Sequence, residues 1–185
     1  MYSGKKLKWF TIVGAMLWIV AGLLLSLRPA GHPPDSFRKS GDLIPVLAVG
    51  LVLIGVSTSL KMLAFRKAGG WLFKTVCQAV VLSSLSYALG VLIRHVFLQA
   101  TGWEPFMPLG FLAFIISWAL LGVISLKKGF LSRAAGLLMI ASTISLLTFN
   151  DQYNPYGGVV FGVLTLFMIL LPEHSQKQSP GSNLA

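Results

Sequence analysis

The polar residues that could do chemistry gather in three connectors between apolar segments of this 185-residue chain. The candidate ligand-binding residues are Asp42, Arg94, Glu104, Asn150 and Asp151. If these connectors meet at one mouth, carboxylates, a guanidinium and an amide could bind a small polar ligand or a peptide there. The alternative is a set of solvated loops with salt bridges, such as Arg94 with Glu104 or Asp151, which contribute little to stability.

No nucleophile in the sequence has a base at a spacing that would activate it. Cys77 is the single cysteine and lies in an apolar segment without a histidine, so we expect a small buried apolar side chain there. The sequence has neither His-Glu-x-x-His nor Cys-x-x-Cys, and His32, His95 and His174 fall outside the apolar segments or at their ends. The sequence therefore predicts no catalytic residue, no metal site and no cofactor, and it favours a protein that is not an enzyme.

Six apolar segments would have to position these polar residues. They cover approximately residues 9–28, 43–61, 71–93, 108–126, 131–149 and 157–171. A helix rising 1.5 Å per residue needs roughly 20 apolar residues to cross about 30 Å of hydrocarbon. Only 11% of the residues are charged, against about 25% in soluble domains. Since the segments do not alternate as barrel strands do, the sequence predicts an all-α membrane protein with six transmembrane helices.

This division predicts one transmembrane domain over residues 1–172 and a disordered cytoplasmic tail over residues 173–185. The first segment follows a cluster of lysines, as the apolar part of a signal peptide does. No Ala-x-Ala cleavage pattern comes after it, so we expect an uncleaved first helix.

The basic residues predict the orientation of the spans. If successive connectors alternate sides, eleven of the fifteen Lys and Arg residues fall on the side of the N-terminus. Short loops rich in Lys and Arg stay in the cytoplasm, so both termini are expected there. The net charge of +10 then belongs to the cytoplasmic face, where anionic lipids are the expected partner. Nucleic-acid binding is disfavoured because the bases are dispersed over short loops at helix ends.

Pairing successive spans gives three helical hairpins with local similarities. The third segment opens Gly70-Trp71-Leu72-Phe73-Lys74 and the fifth opens Gly129-Phe130-Leu131-Ser132-Arg133, with a glycine, an aromatic, a leucine and a base at equal spacing. Pro45, Pro108 and Pro155 mark the starts of the three returning helices. These similarities favour a degenerate parallel repeat. The alternative is coincidence, because prolines at helix starts and glycines in membrane helices are common.

Small residues at helical spacing predict packing faces between the spans. Gly158-x-x-x-Gly162 in the sixth segment would let two backbones approach, either within the chain or between two copies of it. Ala79, Ser83, Ser86 and Gly90 form a similar stripe in the third. The serines there can bond to carbonyls of their own helix.

The predicted function is that of a multi-pass protein of a bacterial plasma membrane, acting as an accessory, sensing or immunity-type partner of a membrane complex. The alternative is a small-solute-binding subunit of a transporter, with its site at the outer mouth. Asn154-Pro155-Tyr156-Gly157-Gly158 resembles glycine-rich turns of the substrate-binding subunits of vitamin transporters, which share this size and span count. The resemblance covers only these residues and transfers no site. A third interpretation is an intramembrane enzyme that borrows a base from a partner.

Overall fold

A computed structural model of the chain describes residues 4–27, 43–63, 66–96, 106–150 and 153–171. These residues form six helices: α1 (Gly4–Ser26), α2 (Ile44–Leu63), α3 (Arg66–Val96), α4 (Phe106–Lys128), α5 (Arg133–Thr148) and α6 (Tyr156–Leu170). Each predicted apolar segment contains one helix, so the all-helical prediction is confirmed. Four helices, α1 to α4, are long and apolar enough to cross a membrane. The predicted tail over 173–185 lies outside the described residues.

Helices α5 and α6 are shorter than the membrane-length helices. They contain 16 and 15 residues, which corresponds to about 24 and 22 Å of helix. The Ser132 hydroxyl caps the start of α5 by accepting a hydrogen bond from the Ala135 amide at 3.2 Å. Leu171 ends α6 in an extended conformation, as expected for a residue that precedes a proline.

The three prolines lie at helix starts, as predicted. Two of them lie inside the first turn of their helix, and one precedes its helix. Pro45 is the second residue of α2 and Pro108 the third residue of α4, whereas Pro155 is the N-cap of α6. The first turn of a helix leaves its amides without intrahelical partners, so proline loses no hydrogen bond there.

The six helices pack as a closed ring. Each helix contacts the next one along the chain, and α6 returns to contact α1. The hydroxyls of Thr11 in α1 and Ser57 in α2 lie 2.7 Å apart, which joins the start of α1 to the end of α2. Gly22, near the end of α1, lies against Pro155 and Val159 at the start of α6. Neighbouring helices therefore run antiparallel.

This arrangement gives the ring two ends with different charge. We call the end with the starts of α1, α3 and α5 the basic end, and the other the opposite end. The described basic residues of the basic end are Lys5, Lys6, Lys8, Lys61, Arg66, Lys67, Lys74, Lys127, Lys128 and Arg133. Among the described residues, Arg94 is the one Lys or Arg residue at the opposite end.

Glycines set the distance between neighbouring helices. A Cβ on Gly14 would lie 2.6 Å from the carbonyl oxygen of Gly50, so the backbones of α1 and α2 touch directly. A Cβ on Gly162 would lie 2.7 Å from the carbonyl oxygen of Ala15, which gives the same contact between α6 and α1. The predicted packing face of Gly158 and Gly162 is thus buried within the chain. Helix α1 occupies it, so that face cannot bind a second copy.

The second and third hairpins share a local design. Gly70 and Gly129, aligned in the sequence comparison, both have left-handed backbones, with φ of 70° and 68°. Thirteen residues after each glycine lies a buried serine, Ser83 or Ser142. Each of these serines donates to the carbonyl oxygen three residues earlier, at 3.1 and 2.7 Å. Chain conformation, burial and hydrogen bonding therefore follow the same register in both hairpins.

We expect Gly50→Ala to destabilise the ring by about 1–3 kcal/mol, because an added methyl overpacks a tight contact. Its Cβ would lie 2.8 Å from Cδ1 of Trp18 and 2.9 Å from the carbonyl oxygen of Gly14. Equilibrium unfolding in mixed micelles measures the loss. Val49→Ala is the control, since this neighbouring side chain is exposed on the outside of the ring. Equal stability of the two variants would contradict the proposed backbone contact.

Candidate functional site

Two of the five predicted ligand-binding residues fall within the described residues, both at the opposite end. Arg94 lies in the last turn of α3 with its side chain exposed, and Asn150 follows the end of α5. Asp42, Glu104 and Asp151 lie outside the described residues. The binding role of all five stays a prediction.

Asn150 begins a tight turn between α5 and α6. Its backbone exchanges two hydrogen bonds with Asn154, at 3.1 and 2.9 Å. The Oδ1 atom of Asn150 accepts from the Tyr153 amide at 3.0 Å, and Nδ2 of Asn154 donates to the Thr148 carbonyl at 2.8 Å. Both asparagine side chains thus stabilise the turn by satisfying backbone groups that α5 and the loop leave open.

Aromatic residues, which membrane interfaces favour, lie exposed at both ends of the ring. Trp9 and Trp71 are exposed at the basic end, and Tyr153 and Tyr156 at the opposite end. Their amphipathic rings suit the boundary between hydrocarbon and water, so they are consistent with a bilayer between the two ends.

Large aromatic side chains fill the interior of the ring. Trp18 of α1 packs edge-on against Phe161 of α6, with 5.0 Å between ring centroids, and Phe114 stacks on Trp118 within α4. A Cβ on Gly55 of α2 would lie 3.2 Å from the Phe114 ring. Because α3 separates α2 from α4 in the ring, the Phe114 side chain must point into the interior to reach α2. At this level the interior is occupied by side chains.

Sequence reasoning missed Trp18 and Trp118 as central residues. Both are fully buried, unlike Trp9 and Trp71, which are exposed at the basic end. A signal was present, because each lies well inside its apolar segment instead of at an end. Position along a span distinguishes an interior tryptophan from an interface anchor.

The two central tryptophans differ in hydrogen bonding. Nε1 of Trp118 donates to the Ser142 hydroxyl at 3.0 Å and thereby links α4 to α5. Nε1 of Trp18 is buried and has no hydrogen-bond partner in the part of the chain that the structure describes. A buried N–H without an acceptor is costly, so Trp18 is held in place by packing alone.

Buried hydroxyls are satisfied mainly by their own helices. Ser83 and Ser84 donate to the carbonyl oxygens three residues earlier, at 3.1 and 2.8 Å, which confirms the prediction for these serines. Ser83 also lies 3.5 Å from the hydroxyl of Ser117 across the α3–α4 interface. These hydroxyls therefore act as packing groups between helices.

The other side chains that could do chemistry are dispersed. Cys77 is fully buried in α3, as predicted. Within residues 4–27, 43–63, 66–96, 106–150 and 153–171, no three His, Cys, Asp or Glu side chains come together in a group that could hold a metal ion. The arrangement seen in these residues is a packed membrane bundle with polar ends.

Comparisons with protein-family models, with curated proteins and with solved structures find no match to this chain.

We expect Trp118→Phe to be less stable than Trp18→Phe by about 1 kcal/mol. Both changes remove one N–H group and shrink one buried ring, but only the first breaks a hydrogen bond between helices, worth about that much in membrane proteins. Unfolding of both variants in the same mixed micelles gives the difference. A larger loss for Trp18→Phe would contradict the assignment of Trp118 as the hydrogen-bonded tryptophan.

Proposed function

We propose that the chain is a six-span integral membrane protein, with both termini in the cytoplasm, that serves as a non-catalytic partner of a membrane complex. The observation that carries this proposal is the closed ring with an apolar outside and with basic residues gathered at one end. Accessory, sensing and immunity roles all fit a protein of this kind. A bacterial plasma membrane is the location proposed from the distribution of its basic residues.

Six crossings are supported by the positions of α5 and α6 in the ring. Each of them packs between two helical neighbours, and α1 and α4, which flank the pair, are of membrane length. Helices of about 22–24 Å can cross when the bilayer thins locally or when flanking residues extend the apolar stretch. The residues beside α5, Leu131 and Phe149, are apolar and pack against the core.

The three hairpins are proposed to be copies of one unit in a parallel arrangement. The shared register of α3 and α5 supports this, and α1 repeats the same spacing of buried positions at Trp18, Ala21, Gly22 and Leu25. Parallel copies cross the membrane in the same direction. Equivalent basic residues therefore fall on the same side, which the positive-inside rule assigns to the cytoplasm.

The outward face of the ring supplies the surface for a partner. On α4, the side chains of Leu109, Leu112, Ile116 and Leu120 are exposed along one face. The inward faces of the helices pack against one another inside the ring. Only the outward faces can therefore contact lipid chains or the helices of another membrane protein. A partner would bind there or at the polar ends.

A solute-binding subunit of a transporter is the second candidate function. The exposed side chain of Arg94 at the opposite end favours it, since a guanidinium there could recognise an anionic solute. Asn150 adds less support, because its side-chain oxygen already accepts from the turn.

Cysteine labelling tests the orientation and the span count together. In a Cys77→Ala background, we expect Tyr153→Cys to react in intact cells with a membrane-impermeant maleimide. Lys5→Cys should react only after permeabilisation. If α5 and α6 did not cross, residue 153 would lie on the same side as residue 5, so matching labelling at both positions would overturn the six-span arrangement.

Native mass spectrometry of the protein extracted in mild detergent tests the functional class. We expect a stoichiometric protein partner. A retained small molecule without a protein partner, lost in Arg94→Ala, would instead support the solute-binding candidate. Lys5→Ala is the control for Arg94→Ala, because it removes one positive charge at the other end of the ring.

A further inference from the structure

Helix α3 and the α4–α5 junction meet at the basic end. Phe73, three residues after Gly70, packs against Phe130, which follows Gly129, with 4.6 Å between the ring centroids. Both rings are buried. The backbone of α3 has a kink at Gly70. The contact holds the part of α3 that follows this kink against the turn between α4 and α5.

Four basic residues lie within three residues of this aromatic pair in the sequence, and we call them the α3–α5 basic surface. They are Lys74, Lys127, Lys128 and Arg133, and all four side chains are exposed. Lys74 and Arg133 occupy the same position, four residues after a left-handed glycine. The described part of the chain contains no Asp or Glu to neutralise them.

The packing of α3 on α4 brings these bases to one level. Along the interface, Gly90 lies against Met107 and Gly110 against Tyr87, and the hydroxyls of Ser83 and Ser117 lie 3.5 Å apart. Continuing this antiparallel pairing places Lys74 beside the last turn of α4, where Lys127 and Lys128 lie. The α4–α5 turn then adds Arg133 on the far side of α4.

Apolar side chains continue directly from the basic surface toward the middle of the ring. Leu120 is exposed two turns before Lys127 in α4, and Leu137 is exposed one turn beyond Arg133 in α5. A bound molecule would thus meet cations at its head and hydrocarbon along its length. Ammonium and guanidinium groups favour phosphate oxygens, and arginine can bind two of them at once.

We infer that the α3–α5 basic surface binds an anionic glycerophospholipid of the adjoining leaflet, with its phosphodiester among the four bases and its acyl chains along α4 and α5. This inference rests on the proposed membrane location. It goes beyond general attraction of a basic face to anionic lipid, because it assigns the binding to one defined set of residues.

The test compares two triple variants that lose equal charge at the same end. One is Lys74→Gln, Lys127→Gln and Arg133→Gln; the control is Lys5→Gln, Lys6→Gln and Lys8→Gln. Phosphatidylglycerol is titrated into the delipidated protein in a neutral detergent, and bound lipid is counted by native mass spectrometry. A lysine or arginine beside a bound anionic headgroup contributes measurably to its binding, so we expect affinity to fall about tenfold or more in the first variant. We expect little loss in the control, because its lysines lie outside the α3–α5 basic surface.

Two further arms identify the source of the phosphate and exclude misfolding. Glycerol phosphate at the same concentration should not displace the lipid, and phosphatidylcholine should bind equally to all variants. A charge-conserving variant, Lys74→Arg, Lys127→Arg and Arg133→Lys, should retain binding. Equal losses in both triple variants, no loss in either, or full displacement by glycerol phosphate would each overturn the inference. The cysteine labelling pattern does not depend on this surface, so it reports separately on the proposed topology.

Discussion

Direct backbone contact between neighbouring helices is the constraint on which this ring depends. In a bilayer, lipid tails are as apolar as leucine, so helices associate through close packing and hydrogen bonds instead of hydrophobic burial. Gly14 against Gly50 and Gly162 against Ala15 bring α2 and α6 onto opposite sides of α1. Without these contacts α1 could not pack against both α2 and α6, and the ring would stay open.

Hydrogen bonding follows the same logic, with two exceptions among the described residues. Ser83, Ser84 and Ser142 donate to carbonyls of their own helices, so they enter the interior without leaving an unpaired hydroxyl. One exception is the buried Ser59 hydroxyl, and the other is the Trp18 N–H, which has no acceptor in that part of the chain. A Cβ on Gly50 would lie 3.1 Å from its Nε1, so a side chain that could accept a hydrogen bond does not fit there. At this position the Trp18 ring fills the space between α2 and α6, and its N–H group stays without an acceptor among the described residues.

The sequence predicted the helices well because bilayer thickness imposes a minimum apolar length on each span. It also predicted the short α6, because the segment 157–171 ends before Pro172, but it did not predict that α5 begins only after its Ser132 cap. The sequence also did not predict that the ring closes, because a glycine pattern does not show which helix will pack against it. The candidate site was least predictable: its residues lie in connectors without periodicity, and Asn150 is recruited by its own turn.

The proposed parallel repeat accounts for the difference in charge between the two ends. Inverted copies, found in many transporters, place equivalent residues on opposite sides of the membrane and distribute basic residues to both faces. Here Lys74 and Arg133 follow equivalent left-handed glycines and lie at the same end. A parallel repeat would therefore add basic charge to one face with each copy. The positive-inside rule would then act on every hairpin in the same sense and favour one orientation in the membrane.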